Sequence, residues 1–152
     1  MSDANPSSDE RKQPGVQREY RTGQIVVYWE PQLCIHTARC LRGLPQVFDI
    51  NRRPWIKVEA ASADQIAEVV ARCPTSALRF ERLDGGPQEQ APEQTTIQAT
   101  PDGPLYVRGD LKIIDQDRSI HKLKRAALCR CGHSKNKPFC DGSHWEVDFK
   151  ST

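Results

Sequence analysis

The sequence lacks long hydrophobic segments, and no apolar run approaches the roughly 20 residues that a membrane-spanning helix needs. It also lacks an apolar secretory segment after Met1, and the acidic residues that follow argue against a mitochondrial presequence. We therefore expect a cytoplasmic protein with no membrane partner. Neither charge is in large excess, since 22 Lys and Arg stand against 20 Asp and Glu. This balance gives no reason to expect nucleic acid as a partner.

Recognisable catalytic groupings are missing as well. The sequence shows no Ser-His-acid arrangement, no glycine-rich phosphate loop and no paired catalytic carboxylates, so we predict that the protein is not an enzyme. It does have six cysteines. In a reducing compartment cysteines stay as thiols, which favours metal ligation over disulfides. A bound metal also stabilises small domains whose hydrophobic core is thin.

The C-terminal segment CRCGHSKNKPFCDGSH concentrates three thiols and an imidazole. Cys129 and Cys131 are two residues apart, so in extended backbone both sulfurs leave the same face and can bind one metal ion. Cys140 and His144 are four residues apart, and a helical turn would bring them onto one face to bind a second ion. Two ligands per metal ion is the layout of a 2Fe-2S cluster.

Zinc is the alternative occupant, because three cysteines and one histidine also form a tetrahedral zinc site. Paired cysteines in zinc sites are usually separated by two to four residues, whereas one residue separates them here, so the spacing favours iron. The whole pattern, with Ser134 and Pro138 between the thiols, resembles the CDGSH iron-sulfur family over about residues 97–149. The resemblance implies a homodimer and a 2Fe-2S cluster with these ligands: Cys129, Cys131, Cys140 and His144.

A second set of cysteines lies in the first half of the chain, at Cys34, Cys40 and Cys73, with Pro74 directly after the last. The set resembles the bacterial ferredoxin run Cys-x2-Cys-x2-Cys with a remote Cys-Pro. The resemblance is to divergent mono-cluster ferredoxin domains and covers about residues 25–80. It implies a cubane iron-sulfur cluster, and the alternative is that the three thiols are buried structural residues.

Thr37 occupies the position at which the second ferredoxin thiolate would stand. One iron of a cubane cluster then lacks its usual ligand. The cluster either rests as 3Fe-4S or remains 4Fe-4S by recruiting His36, Thr37 or solvent. The sequence leaves the number of irons open.

We predict an α+β fold in which a small ferredoxin-like α/β sandwich unit is followed by a β-rich CDGSH domain. The predicted organisation is a disordered tail over residues 1–22, a ferredoxin-like domain over 23–82, a linker over 83–95 and the CDGSH domain over 96–152. Short strands are predicted over residues 25–29, 47–50, 55–58 and 77–80.

One helix is predicted in the first domain. Ser62 begins it through a capping box with Gln65, and the helix delivers Cys73 to its end, where Pro74 stops it. In the second domain, alternating apolar positions over residues 105–113 predict either two strands or one bulged strand, since Gly109 interrupts them.

The ligand set predicts the chemistry of the second site. A neutral imidazole in place of a thiolate removes one negative charge, so we expect a reduction potential between those of plant-type ferredoxins and Rieske proteins. Proton competition for His144 predicts that mild acid releases this cluster first, and that His144→Cys makes it acid-stable.

Three functional hypotheses follow from the two predicted clusters. The first is a two-cluster electron carrier that exchanges electrons with a redox partner protein, either a reductase or an acceptor. The second is a cluster-transfer or redox- and pH-sensing protein. The third is a zinc-stabilised interaction module with no redox role.

Overall fold

The first described strand lies in a segment that the sequence assigns to the tail. A computed structural model describes residues 17–151, so most of the predicted tail, residues 1–16, lies outside the described residues. The tail boundary at residue 22 is wrong, because Arg18–Arg21 forms strand β1 and pairs antiparallel with β2, Ile25–Trp29. Strand β1 is polar, so its composition does not predict a strand. It forms because its backbone groups hydrogen-bond to the neighbouring strand β2.

The first sheet has the strand order β1-β2-β3 and is antiparallel throughout. The predicted strand at residues 25–29 is confirmed, and its first three residues are buried. Strand β3 is Leu78–Arg82, which begins one residue later than predicted and ends two residues later. It is longer because it pairs with the whole of β2, from Leu78 opposite Trp29 to Arg82 opposite Ile25.

The connection between β2 and β3 contains the helices of the first half. They are a 3-10 helix at Pro31–Leu33, α1 at Arg39–Gly43, a second 3-10 helix at Val58–Ala60, and α2 at Ala63–Val70. Two of the predicted strands are wrong. Residues 47–50 and 55–58 meet only in one bridge, between Phe48 and Ile56, because the second segment turns directly into the 3-10 helix that begins at Val58.

Helix α2 begins as predicted. The Ser62 hydroxyl accepts a hydrogen bond from the Gln65 N–H at 3.2 Å, and the Gln65 side chain accepts one from the Ser62 N–H at 3.2 Å. Its buried face packs against the first sheet. The helix ends at Val70, so the expectation that it carries Cys73 at its end is wrong by three residues. A turn follows, in which the Cys73 N–H donates to the Val70 carbonyl at 3.1 Å.

The second sheet is an antiparallel meander of β4, β5 and β6, at Thr96–Ala99, Leu105–Ile114 and Ile120–Leu128. The pairing of β5 with β6 shifts between Arg108 and Leu111, which decides for one bulged strand over two strands. A short helix, α3, at Ser143–Glu146 follows the cysteine loop. Two small antiparallel sheets with helices confirm the α+β class, and no helix within residues 17–151 is long and apolar enough to cross a membrane.

The two halves of the chain share a buried interface. Leu33 and Ala77 of the first half form one hydrophobic cluster with Ala126 and Phe139 of the second. The segment predicted as a linker, residues 83–95, contains no helix or strand, yet it is held in place. Its Glu89 carboxylate accepts two hydrogen bonds from one arginine of β6, at 2.7 and 2.9 Å. The halves therefore pack as one body and are not joined by a free tether.

Candidate metal centres

The three cysteines of the first half lie around one cavity of about 680 Å³. Cys34 directly follows the first 3-10 helix, Cys40 lies in α1, and Cys73 lies in the turn after α2. Residues nearly forty positions apart in sequence are thus brought together by the packing of α1 and α2. The three predicted N-terminal ligands therefore line one cavity.

The loop between Cys34 and Cys40 has an unusual backbone. His36 and Ala38 have φ angles of 59° and 62°, in the left-handed region that residues with a Cβ rarely adopt. This winding turns the His36 N–H toward the Cys34 sulfur, at 3.3 Å. Strained backbone of this kind is concentrated at ligand-binding and catalytic sites.

Both candidates for the extra iron ligand line the same cavity as the thiols. His36 is exposed, and its Nδ1 lies 3.7 Å from the Cys34 sulfur. The Thr37 hydroxyl is already an acceptor for the Arg39 N–H at 3.4 Å. The identity of the additional ligand stays a prediction.

Burial raises the pKa of two of the three thiols. It raises the pKa of Cys34, and it raises the pKa of Cys40 to about 11, with the neighbouring Cys73 acting in the same direction. Only the thiolate is a metal ligand, so metal binding must displace these protons.

The C-terminal donors are grouped in pairs. The sulfurs of Cys129 and Cys131 are 4.0 Å apart, and the Cys140 sulfur lies 3.4 Å from His144 Nδ1. Around a tetrahedral metal ion with bonds of about 2.3 Å to sulfur and 2.0–2.1 Å to nitrogen, such pairs are separated by about 3.8 and 3.5 Å. Each pair therefore fits one metal ion.

A site for one metal ion would need at least three donor side chains gathered around a single point. Within residues 17–151, no three His, Cys, Asp or Glu side chains are gathered closely enough to bind one metal ion. The donors of this loop are instead grouped in the two close pairs described above.

Cys140 and His144 come together through the turn that leads into α3 and not through a shared helical turn as predicted, because Cys140 lies three residues before the helix begins. Gly142, with a φ of 90°, precedes α3, and the Asp141 carboxylate accepts a hydrogen bond from the Ser143 N–H at 2.9 Å. The same carboxylate accepts another from the Lys135 N–H at 2.9 Å. Asp141 thereby ties the ligand pair to the loop that contains the other thiols.

Both members of this second pair are buried, with 4% of Cys140 and 5% of His144 exposed. Burial raises the pKa of the Cys140 thiol to about 11. Burial also lowers the pKa of His144, although the nearby Asp141 opposes this change. A neutral imidazole is the form that binds a metal, so the environment favours ligation.

Backbone amides donate to the sulfurs at both centres. The His133 N–H lies 3.4 Å from the Cys131 sulfur, and the Gly142 N–H lies 3.4 Å from the Cys140 sulfur, in the same two-residue spacing seen at Cys34. Hydrogen bonds to cluster sulfurs stabilise negative charge and raise the reduction potential.

The two ligand loops contact each other. Ile35, the residue after Cys34, is 2% exposed and belongs to one buried cluster with Ala127 and Cys140. Tyr106 of β5 packs against the same cluster. A residue adjacent to a ligand of the first centre therefore packs on a ligand of the second.

Arg125 is the residue at this interface that sequence reasoning misses. It is 1% exposed, and its guanidinium donates to the carbonyls of Val70, Cys73 and Leu78 as well as to Glu89. Its own carbonyl accepts a hydrogen bond from Ser76. The sequence feature that could have indicated a role for Arg125 is its position directly before the apolar end of β6. Only the tertiary structure shows the partners of Arg125.

Two sequence families match this chain. Residues 20–82 match the family described as "Divergent 4Fe-4S mono-cluster", and residues 102–145 match the family described as "Iron-binding zinc finger CDGSH type". The first match contains all three N-terminal cysteines, and the second contains the four C-terminal donors. Both halves are therefore iron-sulfur binding domains.

Individual relatives match each half separately. The Escherichia coli K12 protein YjdI, described as uncharacterized, is 32% identical over 66 residues, which are 43% of this chain and 87% of that protein. A "CDGSH iron-sulfur domain-containing protein 2 homolog" of Drosophila erecta is 40% identical over 42 residues, or 28% of this chain and 32% of that protein. Its homologue in Drosophila willistoni is 40% identical over 42 residues, and this chain spans about a third of either insect protein.

Proposed function

The chain belongs to the family of divergent 4Fe-4S mono-cluster proteins and continues into an iron-binding CDGSH domain, and from this premise we propose that it is a two-cluster electron carrier. Each half holds one cluster and receives or gives one electron at a time. The proposal assigns no catalysed reaction to the chain itself. Its partners are redox proteins, a reductase on one side and an acceptor on the other.

The proposal is carried by the contact between the two ligand loops. Ile35, next to Cys34, and Cys140 share one buried cluster. Leu33 and Phe139, the residues before Cys34 and Cys140, share another. Electron transfer rates fall steeply with distance, so two centres whose ligand loops pack directly on each other can exchange electrons within one molecule.

The clusters themselves supply the one-electron chemistry when they are bound. We assign a 2Fe-2S cluster to Cys129, Cys131, Cys140 and His144. We assign a 3Fe-4S or 4Fe-4S cluster to Cys34, Cys40 and Cys73. What the rest of the chain does is bury the thiols, donate amide hydrogen bonds to their sulfurs and keep the two loops in contact.

Low-temperature electron paramagnetic resonance tests this function. Anaerobically purified protein is measured before and after dithionite, together with iron and sulfide counts. Two distinct cluster signals, both of which respond to dithionite, are expected, and the iron count separates 3Fe-4S from 4Fe-4S in the first half. A single rhombic 2Fe-2S signal with two irons per chain would contradict the two-cluster carrier. Colourless protein that contains zinc would contradict both clusters.

A cluster-transfer or sensing role is the second candidate. It is favoured by the fact that all four C-terminal donors come from one 16-residue segment, Cys129 to His144. Local opening of that segment would release the cluster without unfolding the sheets. Incubation with apo-ferredoxin separates the two functions, because a carrier keeps its cluster and a donor loses it.

Two further aspects belong to the proposal. A reducing, cytoplasmic location is consistent with the six cysteines, which are all free thiols in the structure.

The homodimer implied by the CDGSH resemblance is tested by sedimentation of the holoprotein. An alternative is that the first half takes the place of a second subunit, since it packs on β6 through Ala126 and Ala127.

A further inference from the structure

Four arginines line one surface cleft beside the N-terminal metal centre. The cleft has a volume of about 340 Å³ and is lined by Gly43 and by the following side chains: Arg39, Arg42, Arg72 and Arg108. All four are exposed. The first three come from the ferredoxin-like half and the fourth comes from β5, so the cleft exists only because the two halves pack together. We call it the arginine cleft.

The cleft lies against the cluster ligands. Arg39 directly precedes Cys40 in α1, and Arg72 directly precedes Cys73. Arg39 lines both the arginine cleft and the cavity that contains the three thiols. An object bound in the cleft would therefore sit directly beside the N-terminal cluster.

Two of the four guanidinium groups are held in place by contacts that leave their charge available. Arg42 donates to the Thr37 carbonyl at 2.9 Å, and Arg39 donates to the Arg72 carbonyl at 3.4 Å. The Arg39 guanidinium also lies 5.5 Å from the centre of the Tyr106 ring. Carbonyl and ring contacts position a cation without neutralising it.

Carboxylates leave most of this charge uncompensated. Arg72 pairs with Glu68 at 2.8 Å, and both side chains of that pair are more than half exposed. Within residues 17–151, no carboxylate lies within ion-pair distance of the other three arginines. The cleft is thus a concentrated positive patch on a chain whose net charge is only +2.

Resting on the proposed electron-carrier function, we propose that the arginine cleft is the docking surface for an acidic redox partner protein. The partner's carboxylates would face the four guanidiniums, and one electron lost by the reduced partner would be taken up by the cluster that Cys34, Cys40 and Cys73 would hold. Exposed guanidiniums gain little from a small hydrated ion. A protein surface covers the whole patch, removes its water and adds many contacts, and complementary charge accelerates the encounter.

The test uses the holoprotein and a plant-type ferredoxin as an acidic one-electron partner of low potential, about −400 mV. Binding is measured by calorimetry with oxidised ferredoxin at ionic strengths from about 10 mM to about 500 mM, a range over which exposed charges become screened. Electron transfer from reduced ferredoxin is followed separately by stopped-flow absorbance.

The test variant is Arg72→Glu combined with Arg108→Glu. The matched control is Lys112→Glu combined with Lys122→Glu, which makes the same charge change on two exposed lysines that face each other across β5 and β6. We expect the cleft variant to weaken binding at low ionic strength by about tenfold or more and to slow electron transfer, while the control changes binding by less than about twofold. Arg42→Gln should give a smaller loss in the same direction.

Equal effects of the cleft variant and the control would overturn the proposal, because net charge alone would then explain binding. Displacement of ferredoxin by inorganic pyrophosphate at constant ionic strength would assign the cleft to small oxyanions. Tighter binding of a single-stranded oligonucleotide would assign it to nucleic acid. Reduction by dithionite distinguishes failure of the docking surface from failure of the carrier function. If dithionite reduces both clusters of the wild-type protein but the cleft variant binds ferredoxin normally, only the docking surface is refuted. If the wild-type protein contains no clusters, the carrier function is refuted.

Discussion

Replacing Arg125 with methionine should destabilise both halves of the protein at once. Methionine fills much of the buried volume but donates no hydrogen bonds. The carbonyls of Cys73 and Leu78 lose the Arg125 donor, the Val70 carbonyl keeps only the Cys73 N–H, and the Glu89 carboxylate loses its cation. Three of these four partners belong to the ferredoxin-like half, so a change in the CDGSH half also destabilises its neighbour.

The magnitude follows from these contacts. A buried carbonyl left without a donor costs about 1–3 kcal/mol, and removal of one partner from a buried ion pair costs about 3–5 kcal/mol in total. The Glu89 side chain remains 17% exposed, so water partly replaces its partner. We expect Arg125→Met to lower the free energy of unfolding by about 4 kcal/mol, which is a large part of the 5–15 kcal/mol typical of a domain.

Urea unfolding of the anaerobic holoprotein measures this change, with tryptophan fluorescence and visible cluster absorbance as two probes. Glu89→Gln is the matched control, because it removes the ion pair and leaves the guanidinium in contact with the three carbonyls. It should cost about 1–2 kcal/mol. A loss below about 1 kcal/mol for Arg125→Met would refute the argument. Wild-type transitions that do not coincide between the two probes would refute the single packed body.

Four further predictions test individual parts of the structure. Ile35→Ala removes a 2% exposed side chain from the contact between the ligand loops and should lower the free energy of unfolding by about 2–4 kcal/mol. Iron counts after mild heating should show iron loss from both centres. Iron loss from only one centre would contradict the shared interface. Asp141→Ala removes the acceptor of two backbone N–H groups and should speed loss of the C-terminal cluster, followed by visible absorbance, while Asp141→Asn, which keeps one acceptor oxygen, should be milder. His144→Cys adds a negative charge and should lower the midpoint potential of the 2Fe-2S cluster toward about −400 mV, measured by redox titration; an unchanged or higher potential would argue against His144 as a ligand. Ser62→Ala removes the cap of α2 and should cost about 1 kcal/mol by urea unfolding, with iron content unchanged.

Short sequence patterns predicted much of the C-terminal metal site and part of the fold. The C-terminal donors lie in one short segment, so their spacing alone predicted the pairing of Cys129 with Cys131 and of Cys140 with His144, and the distances agree with it. The capping box at Ser62 was readable for the same reason, since a helix begins through contacts three residues apart. The strands predicted at residues 47–50 and 55–58 failed although the segments meet at the Phe48–Ile56 bridge, because the second segment turns into a 3-10 helix at Val58 and β propensity does not encode that turn.

The sequence by itself determined which side chains can bind iron and which short segments present them, because donor chemistry and close spacing are local properties. Only the tertiary structure decided how the two halves meet. It placed Arg125 among carbonyls of the other half, brought Ile35 onto Cys140, and gathered arginines from α1, the turn after α2 and β5 into one cleft. These contacts join residues that are far apart in sequence, and no local periodicity encodes them. They arise when two apolar surfaces pack and the polar groups between them must find partners.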